Sequence, residues 1–322
     1  MGAPKLISPP FKMNDLAALT AIPPAPPDFK SGFVAIIGRT NVGKSTLMNG
    51  LVGQKIAITS PVSQTTRNRL RGILTTPQAQ MIFVDTPGIH KPHHELGRIL
   101  VKNAERAMAS VDLIIFVVDS STPLGNGDRH VAQLLQKQTT PVILGLNKLD
   151  QQPPPMAASL DEGYRSLNGD WPFCKFSALT GAGIENLQQE LCQRLEVGPY
   201  YYPPDLVTDQ PERLIMAELI REQILHLTRQ EVPHSVAIAI EKIAETPQRT
   251  QVFASITVER SSQKGILIGK QGSMLQAIGT QARLQIEKLI AGEVFLKLFV
   301  KIEPKWRQSR HQLLEFGYRL ED

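Results

Sequence analysis

Residues 33–45 read Phe-Val-Ala-Ile-Ile-Gly-Arg-Thr-Asn-Val-Gly-Lys-Ser, an apolar run set directly against a glycine-rich octet of the pattern G-x-x-x-x-G-K-S. A five-residue apolar run bounded by glycine is the signature of a buried strand, and the residues after Lys44 carry a helical pattern. Gly38 and Gly43 let the backbone curl so that successive N–H groups point inward, and the N-terminus of the following helix adds the positive end of its dipole. The natural guest of such a cradle is a polyphosphate. Lys44 would lie along the β- and γ-phosphates, and the Ser45 hydroxyl would ligate an accompanying Mg²⁺. A plain glycine turn in an α/β protein uses the same letters, and later motifs decide between the two readings.

The chain has 322 residues, 42% hydrophobic and 20% charged, which suits a globular protein of two domains. Its two cysteines, Cys174 and Cys192, can form neither a disulfide framework nor a zinc cluster. Cys192 falls on the helix-spaced face of Leu187, Leu191 and Leu195, where a packing role is expected. The expectation is a reducing, cytoplasmic compartment. No apolar run approaches the ~18 residues of a membrane span, residues 1–20 lack the pattern of a signal peptide, and Leu6 breaks the myristoylation pattern begun by Met1-Gly2. The formal charge of +5 mildly favours an anionic partner.

Residues 1–30 are rich in proline and are expected to be a mobile tail with at most a short helix at 15–21. Buried-strand runs then recur at 33–37, 81–84, 113–118 and 142–146, each followed by a loop and a helical pattern. That alternation predicts a mostly parallel sheet with crossover helices on both faces over 31–198, whose ligands bind at the carboxyl ends of the strands. Prolines and tyrosines interrupt all periodicity at 197–211, and a linker is expected over 199–211. Over 212–322 the order becomes helix 211–228, strand 235–242, strand 251–259, helices around a Gly-x-x-Gly turn, strand 294–302 and a last helix, which predicts a separate α+β domain.

The run 81–84 ends in Asp85-Thr86-Pro87-Gly88. A carboxylate there holds Mg²⁺, and the Gly88 N–H is able to donate to a γ-phosphate, so the loop beyond has a reason to order with triphosphate and loosen with diphosphate. The run 142–146 ends in Asn147-Lys148-Leu149-Asp150. Asp150 is able to accept from both N1–H and the exocyclic amine of guanine, Asn147 to bind the other edge of the base, and the Lys148 stem to pack on the ring. Adenine lacks the amine and would leave the carboxylate unpaired, a costly error. After the apolar run 173–176, Ser177-Ala178 offers a backbone N–H to the guanine carbonyl.

GRTNVGKS, DTPG, NKLD and SAL in this order resemble the translation-factor-like GTPases. The resemblance implies that the cradle is Gly38, Arg39, Thr40, Asn41, Val42, Gly43, Lys44, Ser45 and Thr46, walled by Asp85, Thr86, Pro87, Gly88 and Ile89, with Asn147, Lys148, Leu149, Asp150, Ser177 and Ala178 around the base. It further implies a first switch at Gln64-Thr65-Thr66-Arg67, in which Thr66, or alternatively Thr65, joins Ser45 and Asp85 as a ligand of Mg²⁺. Lys44, Thr66 and Asn41 are the expected catalytic residues. Ile89 stands where many small GTPases carry a glutamine that orients water, so slow turnover is expected. In related GTPases an asparagine at the place of Asn41 helps hold K⁺ beside the phosphates, and this is the expected substitute. Arg39 and Arg67 are read as ordinary basic-loop residues, and His90, His93 and His94 as a solvated loop and not a metal site.

In the second domain, Gly269-Lys270-Gln271-Gly272 lies between an apolar stretch and a helix, and Val294, Leu296, Leu298, Val300 and Ile302 alternate with Lys297 and Lys301. Basic residues outnumber acidic ones from 261 to 310. The pattern resembles a bacterial-type (type II) KH domain, in which the glycines let a single-stranded RNA backbone come close to Gly269, Lys270, Gln271, Gly272, Lys264 and Arg283. A GTPase domain followed by a KH domain resembles the Era family. That resemblance covers 31–322, and it implies a monomeric, slowly turning GTPase that uses GTP, GDP and Mg²⁺, with K⁺ as a further candidate. The implied partners are 16S rRNA near its 3′ end and the 30S subunit during assembly, with peripheral association at the inner membrane. The alternative is an RNA-binding module tuned by guanine nucleotide with negligible hydrolysis. A metabolic phosphotransferase is disfavoured because it would not read guanine at 147–150.

Overall fold

The computed structural model describes residues 22–60, 70–88, 95–229, 232–233, 235–316 and 318. They pack as two compact units, Pro23–Gln210 with Trp306–Asp322, and Pro211–Lys305. The expected helix at 15–21 lies outside the described residues, as do Gln64, Thr65, Thr66, Arg67, Ile89, His90, His93 and His94.

The first unit is built on strands β1 (Lys30–Ile37), β2 (Leu70–Thr75), β3 (Ala79–Asp85), β4 (Leu113–Asp119), β5 (Val142–Asn147) and β6 (Phe173–Lys175), in the order β2-β3-β1-β4-β5-β6. All neighbours are parallel except β2, which runs antiparallel to β3. Helices α1 (Lys44–Val52), α2 (Glu95–Ala109), α3 (Asn126–Leu135), α4 (Ala157–Arg165) and α5 (Ile184–Arg194) complete it. Successive strand residues point to opposite faces. Val34 and Ile36 therefore pack with Leu47 and Leu51 of α1 and Leu187 and Leu191 of α5, while Ala35 and Ile37 pack with Met108, Val131 and Leu135. Both faces are covered, which is why these strands are unbroken apolar runs rather than alternating ones. Cys192 and Cys174 are half-buried against the first of these clusters, and burial raises the Cys174 thiol, which agrees with a packing role.

Two boundaries differ from those expected. Phe29 is buried and packs tilted against Tyr200 at 4.4 Å between ring centroids, and β1 begins at Lys30, so the first unit starts inside the segment read as a tail. The segment read as a linker is fastened along the sheet. Gln80 accepts from the N–H groups of Tyr201 and Tyr202 at 2.8 and 3.0 Å and donates to the Tyr202 carbonyl at 2.9 Å. Ile73 N–H donates to Val207 O, Thr208 Oγ1 donates to Arg71 O, and Arg71 pairs with Asp209 at 2.6 Å. The proline-rich composition is explained by this role, because a strap that lends a few bonds to a sheet edge needs no N–H at every residue.

The second unit comprises α6 (Glu212–Leu227), β7 (Ala237–Glu245), β8 (Thr250–Val258), α7 (Ser261–Ile268), α8 (Ser273–Ile290) and β9 (Val294–Ile302). Its sheet has the order β7-β8-β9, with β7 antiparallel and β9 parallel to β8. Val252, Ala254, Ile256 and Val258 of the central strand are buried, as are Ile278, Ala282 and Ile286 along one face of α8. The last helix, α9 (Arg310–Glu315), expected in this unit, belongs to the first. Trp306 is fully buried against Phe316 and Tyr318, and Arg310 lies 3.4 Å from Glu95 at the start of α2.

Candidate nucleotide site

The parallel strands β3, β1 and β5, with β4 between the last two, end at the same edge of the sheet, and their last residues hand over to residues 86–88, 38–45 and 148–150. Close approach dictates glycine in the first two loops. A Cβ on Gly38 would stand 2.4 Å from Val117 O, and one on Gly88 would stand 2.9 Å from Thr40 N. Gly43 has φ 97° and caps α1 with no side-chain hydrogen bond. The opening N–H groups of α1 are thus not capped by the Gly43 side, as an anion-binding helix start requires. Asn41 also adopts the left-handed conformation, φ 66°, and is exposed.

Lys44 is buried, and its ammonium donates to Arg39 O at 2.7 Å. Burial lowers its pKa to about 8, and the neighbouring Asp85 charge opposes that shift in part. A cation held this way is under-compensated until an anion arrives. Ser45 Oγ donates to Asp85 Oδ2 at 2.8 Å, and Asp85 is fully buried at the end of β3. A hydroxyl and a carboxylate brought together are hard oxygen donors, the set that Mg²⁺ takes beside phosphates. Thr86 Oγ1 donates to Ile36 O at 2.9 Å, tying the loop after β3 to β1. Arg39 is tethered by the buried Asp128 at 2.9 Å.

The 147–150 and 177–178 loops interlock. Asn147 Nδ2 donates to Val42 O at 2.7 Å and its Oδ1 accepts from Ala178 N at 2.9 Å, so its amide braces the phosphate loop against the 177–178 turn. The amide of Asn147 and the Ala178 N–H, both expected beside the base, are thus hydrogen-bonded to each other. Ser177 Oγ donates to Asp150 Oδ1, which fixes the orientation of that carboxylate. Lys148, φ 65°, reaches Asp119 Oδ2 at 2.7 Å. Burial acts to raise the Asp119 carboxyl, but hydrogen bonds from Lys148 and Ser121 and the Lys148 charge hold it below the usual carboxylate range. With its head anchored, the Lys148 stem forms a fixed apolar strip beside Asp150. Asp119 was missed in the sequence, where its one signal is a carboxylate closing the apolar run 113–118.

In the second unit, Gly269 has φ 71° and Gly272 φ 83°, and Gln271 between them is also left-handed at φ 53°. A Cβ on Gly269 would meet Met274 Cβ at 2.8 Å, whereas one on Gly272 would meet nothing within 4 Å. The turn is therefore packed on one side and open on the other, with Lys270 and Gln271 exposed and α8 starting directly after it. Arg283, expected near the RNA backbone, pairs with Glu287 at 2.6 Å on the same helix. Among the described residues no helix is long and apolar enough to cross a membrane, and no cluster of His, Cys, Asp and Glu would hold a metal ion.

Comparison with known proteins agrees with this geometry. Residues 33–148 match the family model described as 50S ribosome-binding GTPase, and residues 231–307 match the KH domain. The chain is 72% identical over 311 residues to GTPase Era of Synechocystis sp., covering 96% of this chain and 99% of that protein. It is 67% identical over 312 residues to GTPase Era of Nostoc sp., covering 96% of each. Among solved structures, a single-residue variant of Aquifex aeolicus Era bound to GDP.AlF4⁻ superposes with a TM-score of 0.87 at 37% identity, covering 90% of this chain and 99% of that one. Era in complex with MgGDPNP and nucleotides 1506–1542 of 16S ribosomal RNA matches equally well, with a TM-score of 0.87. At that identity, over nearly the whole length of both chains, the protein belongs to the Era family of GTPases, a P-loop GTPase domain followed by a KH domain.

Proposed function

We propose that residues 38–46 hold the phosphates of GTP or GDP, that Asp150 reads guanine, and that the KH unit binds 16S rRNA near its 3′ end in assembly of the 30S subunit. The observation that carries this is the pairing of Ser177 with Asp150 beside a Lys148 stem anchored on Asp119, with Asn147 joining the base end of the site to the phosphate loop. A carboxylate preset for two N–H donors suits guanine and no other common base.

The roles follow the atoms. Lys44 supplies the charge along the phosphates, and the N–H groups of 38–46 and Gly88 surround them. Ser45 and Asp85 would hold Mg²⁺, joined by Thr66 or Thr65, and the ion would supply positive charge to offset that of the phosphates. Ile89 lacks any group to orient water, so intrinsic turnover is slow, and Asn41 is the candidate for holding K⁺ beside the phosphates. Equal rates in K⁺ and Na⁺ would remove that role. The relative bound to nucleotides 1506–1542 of 16S rRNA supports the RNA assignment, and the 269–272 turn offers an open, left-handed backbone beside Lys270 and Lys264. A monomer in the cytoplasm with peripheral attachment to the inner membrane completes the reading, the basic residues of the KH unit being its only physical support.

The test is a pair of variants. Lys44→Ala is expected to abolish nucleotide binding in calorimetry and leave the fold intact, and Gly269→Asp with Gly272→Asp to weaken RNA binding alone. Loss of GTP affinity in the glycine variant with RNA affinity retained would overturn the assignment of the two units.

A further inference from the structure

The outer face of the KH sheet carries chemistry that neither the nucleotide cradle nor the 269–272 turn uses. The register sets Phe295 opposite Gln251, Lys297 opposite Phe253 and Phe299 opposite Ser255, with Lys242 of β7 beside Phe253. These residues lie on the side of the sheet away from the buried Val252, Ala254 and Ile256. Along β9 the outward sequence is Phe295, Lys297, Phe299, Lys301, and the two rings are 39% and 44% exposed.

Cations are arranged around the rings. The Arg249 guanidinium lies 5.1 Å from the Phe295 centroid and Lys297 Nζ 5.3 Å from that of Phe299, while Phe253 meets Phe295 edge-on at 6.4 Å. Glu241, at the irregularity in β7, is already engaged by Lys301 at 2.7 Å and Ser255 at 2.6 Å. Lys242, Arg249 and Lys297 are thus left to give the face a positive sign.

We propose that this face is a second RNA-contacting surface, on which unpaired bases stack against Phe295 and Phe299 while Lys242, Arg249 and Lys297 meet the phosphates. Single-stranded RNA offers π-faces and anions in alternation, and β9 offers rings and cations in the same alternation. At ~3.3 Å per residue the two rings are separated by ~13 Å along the strand, enough to take different bases. A lipid surface fits less well, because each ring is flanked by a charge that would have to leave water with it. The inference is independent of the 269–272 turn.

The experiment uses the full chain and a fluorescein-labelled oligouridylate of about twelve nucleotides. Phe295→Leu with Phe299→Leu keeps apolar bulk but removes the π-faces. The double variant is expected to weaken binding at least about fivefold, whether residues 269 and 272 are glycine or aspartate. Lys297→Gln is expected to lower the slope of log affinity against log salt by about one, and it serves as the folded alternative should the double variant not fold. Crosslinks from 4-thiouridine are expected within 295–301. Unchanged affinity in both variants with crosslinks confined to the turn would overturn the proposal. So would retention of anionic phospholipid vesicles by a face that ignores RNA. Absence of RNA binding by the unaltered chain would overturn both RNA assignments, whereas loss in the glycine variant alone would leave the turn standing and this face rejected.

Discussion

Asp150, Ser177 and Asn147 show how much of a site a sequence spells out. The candidate residues were legible because each follows an apolar run at a place where a parallel sheet exposes its carboxyl end. The contacts among them were not legible: that the Asn147 amide bridges Val42 O and Ala178 N, tying two loops together, is a property of the fold. Ser177→Ala frees the Asp150 carboxylate and is expected to weaken GTP about tenfold, the value of one charged hydrogen bond of ~1.5 kcal/mol, measured by calorimetry. Asp150→Asn replaces an acceptor by a mixed donor and acceptor, and is expected to cost guanine more than a hundredfold, on the order of 10²–10⁴, while admitting xanthosine triphosphate, whose base has a carbonyl in place of the amine. Asp119→Asn releases Lys148 and should weaken both nucleotides. The lowered Asp119 pKa also fixes the sign of an acid effect. Its stabilisation is present above the unfolded value of 3.8 and is lost as pH falls through the lower folded value. The half-buried pair is worth on the order of 1 kcal/mol, so the stability gap between parent and variant in urea unfolding should narrow below that pH.

At the level of elements, the apolar strands and the helices between them followed directly from the pattern, since both faces of the sheet are covered. The antiparallel edge strand β2 did not, because Leu-Arg-Gly-Ile-Leu-Thr is interrupted by Arg, Gly and Thr and its outer edge is met by residues 207–209 rather than by another strand. Composition read that segment as a linker, and in isolation a proline-rich stretch gives no sign of what it is fastened to. The same applies to α9, which belongs to the first unit, with Arg310 3.4 Å from Glu95 of α2. Asp209→Ala removes one anchor of the strap and is expected to cost about 1 kcal/mol, with faster hydrogen exchange at Ile73 N–H, which donates to Val207 O. Unchanged protection at Ile73 would show that the strap does not depend on the Arg71–Asp209 pair. Within the KH unit, the two glycines of the turn separate by surroundings. Gly272→Ala meets open space and costs about 1 kcal/mol for its left-handed backbone, whereas Gly269→Ala also drives a Cβ into Met274 and should cost clearly more in thermal unfolding.

The whole molecule carries a GTPase unit, whose loops follow three parallel strand ends, and a KH unit with an open glycine turn and a basic, aromatic sheet face. Order of motifs, more than any single one, made this legible: one phosphate loop, one guanine-reading loop and one Gly-x-x-Gly turn, each at the foot of an apolar run. Thr66 and Ile89 fall outside the described residues. Comparing hydrolysis in K⁺ and Na⁺, with and without small ribosomal subunits, should show stimulation by each if Asn41 and the RNA partner act as proposed; flat rates would favour a binding module tuned by nucleotide. The central claim is the guanine-specific pocket, and isothermal titration of the purified chain with GTP, GDP and ATP tests it most directly. Saturable heat with both guanosine nucleotides and none with ATP is the expected result; saturation by ATP with silence from GTP and GDP would contradict it.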